Sequence, residues 1–68
     1  MKEQIEKMFT YNPPKGDQPK RYVELREKFK EVALLIDELC PNSREKSTAI
    51  TQLQLANMLA NASIAVNE

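Results

Sequence analysis

Two long segments of helical pattern meet at Pro41, and only three or four residues separate the end of one from the start of the other. Proline cannot continue a helix, so the first segment ends here. Asn42, with Glu45 three residues later, resembles a capping box that starts the second helix, and Ser43 is the competing cap. Because the connection is so short, we expect the two helices to run antiparallel as a hairpin.

The first predicted helix, residues 17–40, carries an apolar stripe whose members alternate spacings of three and four residues. This pattern is typical of a helix packed against another helix, and its members are Tyr22, Leu25, Phe29, Val32, Ile36 and Leu39. Ala33, Leu34 and Leu35 widen the stripe. Asp17 is predicted to be the N-cap, with Pro19 tolerated in the first turn.

The second predicted helix, residues 43–66, is apolar around most of its circumference. Ile50, Leu53, Ala60 and Ile64 share one side, whereas Leu55, Met58, Leu59, Ala62, Ala65 and Val66 cover much of the rest. One partner helix covers only about one stripe, so the remaining surface predicts packing between subunits. Gln54, Asn57 and Asn61 follow one line at steps of three and four, which indicates either a polar face or a buried hydrogen bond that sets the register.

Residues 1–16 form an N-terminal arm and loop. Ile5, Met8 and Phe9 have helical spacing, but the apolar side is too small to be stable alone. Thr10 to Gly16 contains two prolines, which predict a fixed, extended loop. The predicted fold is therefore all-α: a single domain over residues 1–68, built as an antiparallel helical hairpin with a short N-terminal helical arm, which assembles into a homo-oligomeric helical bundle.

Composition leaves few other sources of stability or chemistry. A chain of 68 residues gains roughly 3 to 5 kcal/mol from one core unless a disulfide, a metal or a partner adds to it. Cys40 is the single cysteine and there is no histidine, so an intrachain disulfide, a zinc site and a Cys–His pair are excluded. Asp37 and Glu38 are adjacent on a helix and point about 100 degrees apart. We therefore expect a self-associating protein without catalytic residues, metal or cofactor.

The formal net charge is zero, and no apolar run approaches the length that crosses a bilayer. The first eight residues are charged and lack the apolar centre of a secretion signal. These features predict a cytosolic protein that does not enter a membrane.

Charge is unevenly distributed, since residues 15–30 hold six basic and three acidic side chains. Most of the basic residues have an acidic neighbour three or four positions away; Lys30, for example, can reach Glu27. Arg26 has none. An unpaired arginine beside a packing seam suits a bound anion, because its fork can grip a phosphate in two places. An ion pair between subunits is the alternative, and the sequence alone leaves both open.

Tyr11 stands in the proline-stiffened loop and gives a second candidate. A flat aromatic ring held there could stack on a base, at roughly 1 to 3 kcal/mol per base. It could equally act as a hydrophobic staple that pins the arm to the hairpin.

Four groups of residues, in order, resemble a known family. They are Phe9-Thr10-Tyr11-Asn12-Pro13-Pro14, Tyr22 with Leu25-Arg26, Cys40-Pro41-Asn42-Ser43-Arg44-Glu45-Lys46-Ser47, and Asn61-Ala62-Ser63-Ile64-Ala65. Together they are similar to the phage anti-CBASS cyclic-nucleotide sponges, whose hairpin is shared with the phage anti-Thoeris sponges. The similarity covers nearly the whole chain.

The resemblance implies a homohexamer of helical hairpins that binds bacterial immune second messengers, chiefly cyclic dinucleotides, in pockets between protomers and does not cleave them. It also implies an aromatic residue in the arm and a basic residue on the first long helix as ligand contacts, and Tyr11 and Arg26 match these roles. Family members often have lysine where Arg26 stands. Members that also bind cyclic trinucleotides use a basic residue near the end of the hairpin, where this chain has Val66 and Asn67.

The sequence therefore predicts a phage sponge acting in the cytoplasm of the infected bacterial host, with no nucleic-acid polymer as partner. The predicted ligand-binding residues are Tyr11, Arg26, Asn12, Phe9, Tyr22 and Lys30. Two alternatives remain: a small RNA-binding hairpin that uses the same basic stretch, and a structural adaptor that binds another protein through its surplus apolar surface.

Overall fold

The structure is a computed structural model that describes residues 1–68. It contains three helices and no strand: α1 (Lys2–Met8), α2 (Gln18–Leu39) and α3 (Arg44–Asn67). Contacts at both ends of the hairpin show that α2 and α3 run antiparallel, since Glu68 binds Gln18 and Lys46 binds Asp37. The prediction of an all-helical hairpin with a short helical arm is confirmed.

Ser43, the alternative cap, begins α3. Its backbone is extended and its hydroxyl accepts a hydrogen bond from the Lys46 backbone N–H at 3.1 Å. Asn42 has another role, because its Oδ1 accepts from Lys46 Nζ at 3.1 Å. The helix cap is therefore Ser43 and not Asn42. Asn42 stabilises the connection in another way, by accepting the hydrogen bond from Lys46.

Lys46 also ties the two long helices together at this end. Its ammonium lies 3.0 Å from Asp37 Oδ1 and donates to the Asp37 carbonyl at 2.9 Å. That carbonyl belongs to the last turn of α2, where backbone acceptors have no partner within the helix. The Lys46 side chain is only 10 % exposed, although it carries a charge.

Gln18 joins the opposite end of the hairpin and is the single buried residue, at 4 % exposure. Its Oε1 accepts from the Lys15 backbone N–H at 3.1 Å, and its Nε2 donates to Glu68 Oε1 at 3.4 Å. Arg21 also pairs with Glu68, to which both of its terminal guanidinium nitrogens donate. These bonds lower the pKa of Glu68 and raise that of Arg21, in each case mainly through the hydrogen bond between the two.

Asp17 occupies the N-cap position of α2, but its side chain makes no capping hydrogen bond. A capping side chain bonds the N–H of the second or third helical residue, and here the second is Pro19, which has no N–H. The carboxylate instead pairs with Arg21 Nε at 3.3 Å. The predicted N-cap position of Asp17 is therefore confirmed, but the capping hydrogen bond expected from its side chain is not formed.

The seam between α2 and α3 follows the predicted stripe only in part. Half-buried side chains of α2 are Tyr22, Leu25, Phe29, Ala33 and Ile36, and those of α3 include Ile50, Leu53, Ala56, Asn57, Ala60 and Ile64. Val32 and Leu39 are exposed, so their assignment to the seam was wrong. The helix turns every 3.6 residues, and this rotation carries the seam through Ala33 and leaves Val32 at its edge.

No apolar side chain is fully buried in a single chain. Exposed large apolar residues lie on every helix; they include Ile5, Met8 and Phe9 of the arm, Val23, Leu34 and Leu35 of α2, and Leu55, Met58 and Leu59 of α3. The outward face of α3 is a stripe of its own, because Leu55, Met58 and Leu59 point away from the seam. Contiguous apolar surface of this kind marks an interaction face.

Candidate anion-binding groove

A groove of about 310 Å³ runs between the middle of α2 and the middle of α3. It combines two cations from α2, two neutral amides from α3 and an apolar floor. Its lining residues are Arg26, Phe29, Lys30, Ala33, Ile50, Leu53, Gln54 and Asn57. No carboxylate lines this groove.

Arg26 and Lys30 bring unpaired positive charge to the groove. They stand one helical turn apart, and neither has a carboxylate within ion-pair distance; the Glu27 pair that the sequence allowed for Lys30 is absent. Two other basic residues of α2 are, by contrast, neutralised by ion pairs. Arg21 pairs with Asp17 and Glu68, and Lys28 pairs with Glu31 at 3.5 Å. The groove therefore holds the uncompensated charge of the middle of α2.

The amides opposite these cations were not among the predicted site residues. Asn57 Oδ1 is covered and accepts no hydrogen bond, and the same holds for Asn61 Oδ1. Neither oxygen therefore makes a register-setting bond within the hairpin. The sequence could have indicated Asn57. In an antiparallel hairpin, residues equally distant from the connection lie side by side on the two helices, and Arg26 and Asn57 meet that condition.

The arm residues lie elsewhere in the same chain. Phe9 is exposed, and Tyr11 is 82 % exposed, so it does not staple the arm to its own hairpin. Asn12 Nδ2 donates to the Thr10 carbonyl at 2.9 Å. Asn12 also lines a separate groove whose walls include Glu3 and Glu6, a setting unfavourable to an anion.

Gly16 lets the loop turn from the arm into α2. Its φ of 59° is the only positive value in the chain, and this left-handed backbone is one that glycine adopts without strain. The turn places the exposed arm beside the end of the hairpin that Glu68 closes.

Tyr22 is half-buried in the seam and lines a third groove with Asn61, Ala62 and Ala65. Of the six predicted ligand-binding residues, the structure brings only Arg26 and Lys30 together. Tyr11 and Asn12 do not line the groove of Arg26 and Lys30 in the same chain.

The groove offers binding chemistry. Its polar groups are a guanidinium, an ammonium and two amides, which together can hold an anion and give hydrogen bonds. No three metal-ligand side chains of the His, Cys, Asp or Glu type converge anywhere in the chain, and Cys40 is an exposed free thiol. None of the three helices combines the length and apolarity required to cross a bilayer.

Comparison with known proteins gives one match. The family model described as Acb2/Tad1, hairpin domain, matches residues 1–65. No curated protein and no solved structure matches the chain. The match covers nearly the whole chain and confirms the resemblance drawn from its four residue groups, a family of sponge-type binding domains with a phage anti-defence role. The chain therefore belongs to the Acb2/Tad1 hairpin-domain family.

Proposed function

We propose that this chain is a phage anti-defence protein that binds and sequesters cyclic oligonucleotide second messengers, chiefly cyclic dinucleotides, in the cytoplasm of the infected bacterium without cleaving them. The observation that carries the proposal is the unpaired pair of cations, Arg26 and Lys30, in a groove without a carboxylate. A cyclic dinucleotide is a dianion, and this groove brings two unpaired cations together.

The two cations have different parts in this proposal. Four residues of helix rise about 6 Å, so Arg26 and Lys30 can both reach one side of a compact ligand. The arginine fork contacts two oxygens of one phosphate, whereas the lysine acts as a point charge. Apolar groove residues such as Phe29 and Leu53 lie beneath the base or the sugar.

A second protomer completes the site. Tyr11 is open to solvent in its own chain, so its ring is free to stack on a base held in a neighbour's groove, and Asn12 and the loop backbone add polar contacts. A two-fold ligand matches two symmetry-related protomers. The exposed stripe of Leu55, Met58 and Leu59 supplies an assembly face, and we propose a homohexamer.

Isothermal titration with cyclic di-AMP, cyclic di-GMP and a structured RNA tests the proposal. We expect binding of at least one cyclic dinucleotide and none of the RNA. Tyr11→Phe should keep most of the affinity, whereas Tyr11→Ala should lose roughly 1 to 3 kcal/mol per stacked base. Since Tyr11 is exposed, Tyr11→Ala should leave the melting temperature of the free protein unchanged.

Other outcomes identify the alternatives. Binding of the RNA with a steep dependence on salt would indicate the RNA-binding hairpin. Binding of no nucleotide would favour the protein adaptor. Material released by heating the complex should be intact cyclic dinucleotide, and a linear product that accumulates with time would show hydrolysis and contradict sequestration.

A further inference from the structure

Asn57 lies on α3 opposite the cations of the groove, in an arrangement that is unfavourable while the groove is empty. Its Oδ1 is covered and accepts no hydrogen bond. Its Nδ2 makes no hydrogen bond and is not covered, and Asn57 lines the groove together with Arg26 and Lys30, so this donor is free to bond to a ligand there. A side-chain amide nitrogen is a donor only, and here it shares the groove with two cationic donors, Arg26 and Lys30, and with the neutral Gln54 amide, which carries both a donor and an acceptor.

The donor groups of Arg26, Lys30 and Asn57 repel each other electrostatically when they share one groove. The covered Asn57 Oδ1, which has no hydrogen-bond partner, also costs free energy. A leucine at this position would avoid both penalties and would extend the apolar seam formed by Leu53 and Ile50. The amide is therefore poorly explained by packing alone. An anion bound between Arg26, Lys30 and Asn57 turns this repulsion into attraction, because each of the three donors then gains an acceptor.

We propose that Asn57 is a third anion-contacting residue, whose Nδ2 donates to an oxygen of the phosphate that Arg26 grips. This rests on the proposed function and assigns one further contact within the same site. The role is positional, since a short side chain on a rigid helix fixes the phosphate more narrowly than the long side chains of Arg26 and Lys30. A ligand whose anionic group cannot reach the α3 side of the groove loses this bond.

Variants at Asn57, with matched variants at Asn61, test the inference against cyclic di-AMP and cyclic di-GMP. Asn61 is a sound control, because its Oδ1 is also covered and unpaired but it lies in the groove beside Tyr22, away from Arg26. We expect Asn57→Leu to weaken binding roughly tenfold, the scale of one hydrogen bond to a charged group. Asn57→Asp should weaken it further, since a carboxylate there repels the phosphate. Asn61→Leu should bind as the unchanged protein does.

An NMR measurement on the protein without any substitution tests the same contact and does not depend on whether the variants fold. In ¹H–¹⁵N spectra, saturating cyclic dinucleotide should shift the side-chain NH₂ signals of Asn57 downfield and leave those of Asn61 in place. If the unchanged protein binds a cyclic dinucleotide while Asn57→Leu keeps full affinity, or while the Asn57 NH₂ signals do not move, this inference is wrong and the proposed function stands. If the unchanged protein binds no member of a panel of cyclic dinucleotides that includes these two, both the inference and the proposed function are wrong.

Discussion

Lys46→Met should destabilise the hairpin far more than the same change at another lysine, because Lys46 closes the α2–α3 connection. Its ammonium makes hydrogen bonds of 2.9 Å and 3.1 Å to the Asp37 carbonyl and Asn42 Oδ1, and lies 3.0 Å from Asp37 Oδ1. Methionine keeps the length and apolar stem of the side chain and makes none of these contacts. The comparison therefore isolates the charged group from the packing of its stem.

The magnitude follows from these contacts and their exposure. A hydrogen bond to a charged group contributes about 1.5 to 3 kcal/mol where it is shielded. The Asp37 carboxylate is 67 % exposed, so the ion pair adds less than about 1 kcal/mol, and the exposed Asn42 recovers a bond to water. We expect a net loss of about 1.5 to 3 kcal/mol in the free energy of unfolding.

Lys28→Met is the matched control. Lys28 is 70 % exposed and makes one pair, at 3.5 Å, with an equally exposed Glu31, so its loss should cost less than about 0.5 kcal/mol. Urea unfolding followed by circular dichroism at 222 nm measures both variants, at one protomer concentration, since self-association links stability to concentration. Equal losses for the two variants would refute the account of Lys46.

Three further predictions concern assembly, binding and pH. The purified chain should sediment as an oligomer larger than a dimer, because apolar residues remain exposed on all three helices; a stable folded monomer at micromolar concentration would contradict this. Arg26→Ala should weaken cyclic dinucleotide binding by about 1.5 to 3 kcal/mol while the oligomer stays intact. Lys20→Ala removes one positive charge outside the groove and should leave binding unchanged. Dissociation of the oligomer in the Arg26 variant would instead indicate an intersubunit ion pair. The pKa of Glu68 is lowered from its ordinary value of 4.5, chiefly by the hydrogen bond that Arg21 donates to it. The contribution of Glu68 to folding stability is therefore fully present above pH 4.5 and is lost as the pH falls through the lowered pKa. The protection factors of the amides at the end of α3, each taken relative to the intrinsic exchange rate at the same pH, should therefore fall on acidification, and Glu68→Gln should remove that pH dependence.

Much of the local structure follows from the sequence because its causes lie within a few residues. Pro41 ends one helix, a polar residue just after it caps the next, and the spacing of Tyr22, Leu25 and Phe29 marks the face of α2 that packs. The sequence left the choice of cap between Asn42 and Ser43 open, and the structure selects Ser43. The lack of an acidic neighbour around Arg26 is also local, since pairing along a helix reaches only three or four positions. These features could be predicted without knowing how the helices meet.

The tertiary structure decided everything that depends on two distant segments lying side by side. The Asp17 side chain was expected to cap α2 and instead pairs with Arg21, which Glu68 also binds from 47 residues away in the sequence. The seam passes through Ala33 and not Val32 because the rotation of α2 is set by the surface of α3. Asn57 reaches the groove of Arg26 for the same reason: a position on one helix gains a neighbour on another only when the antiparallel register of the pair is fixed.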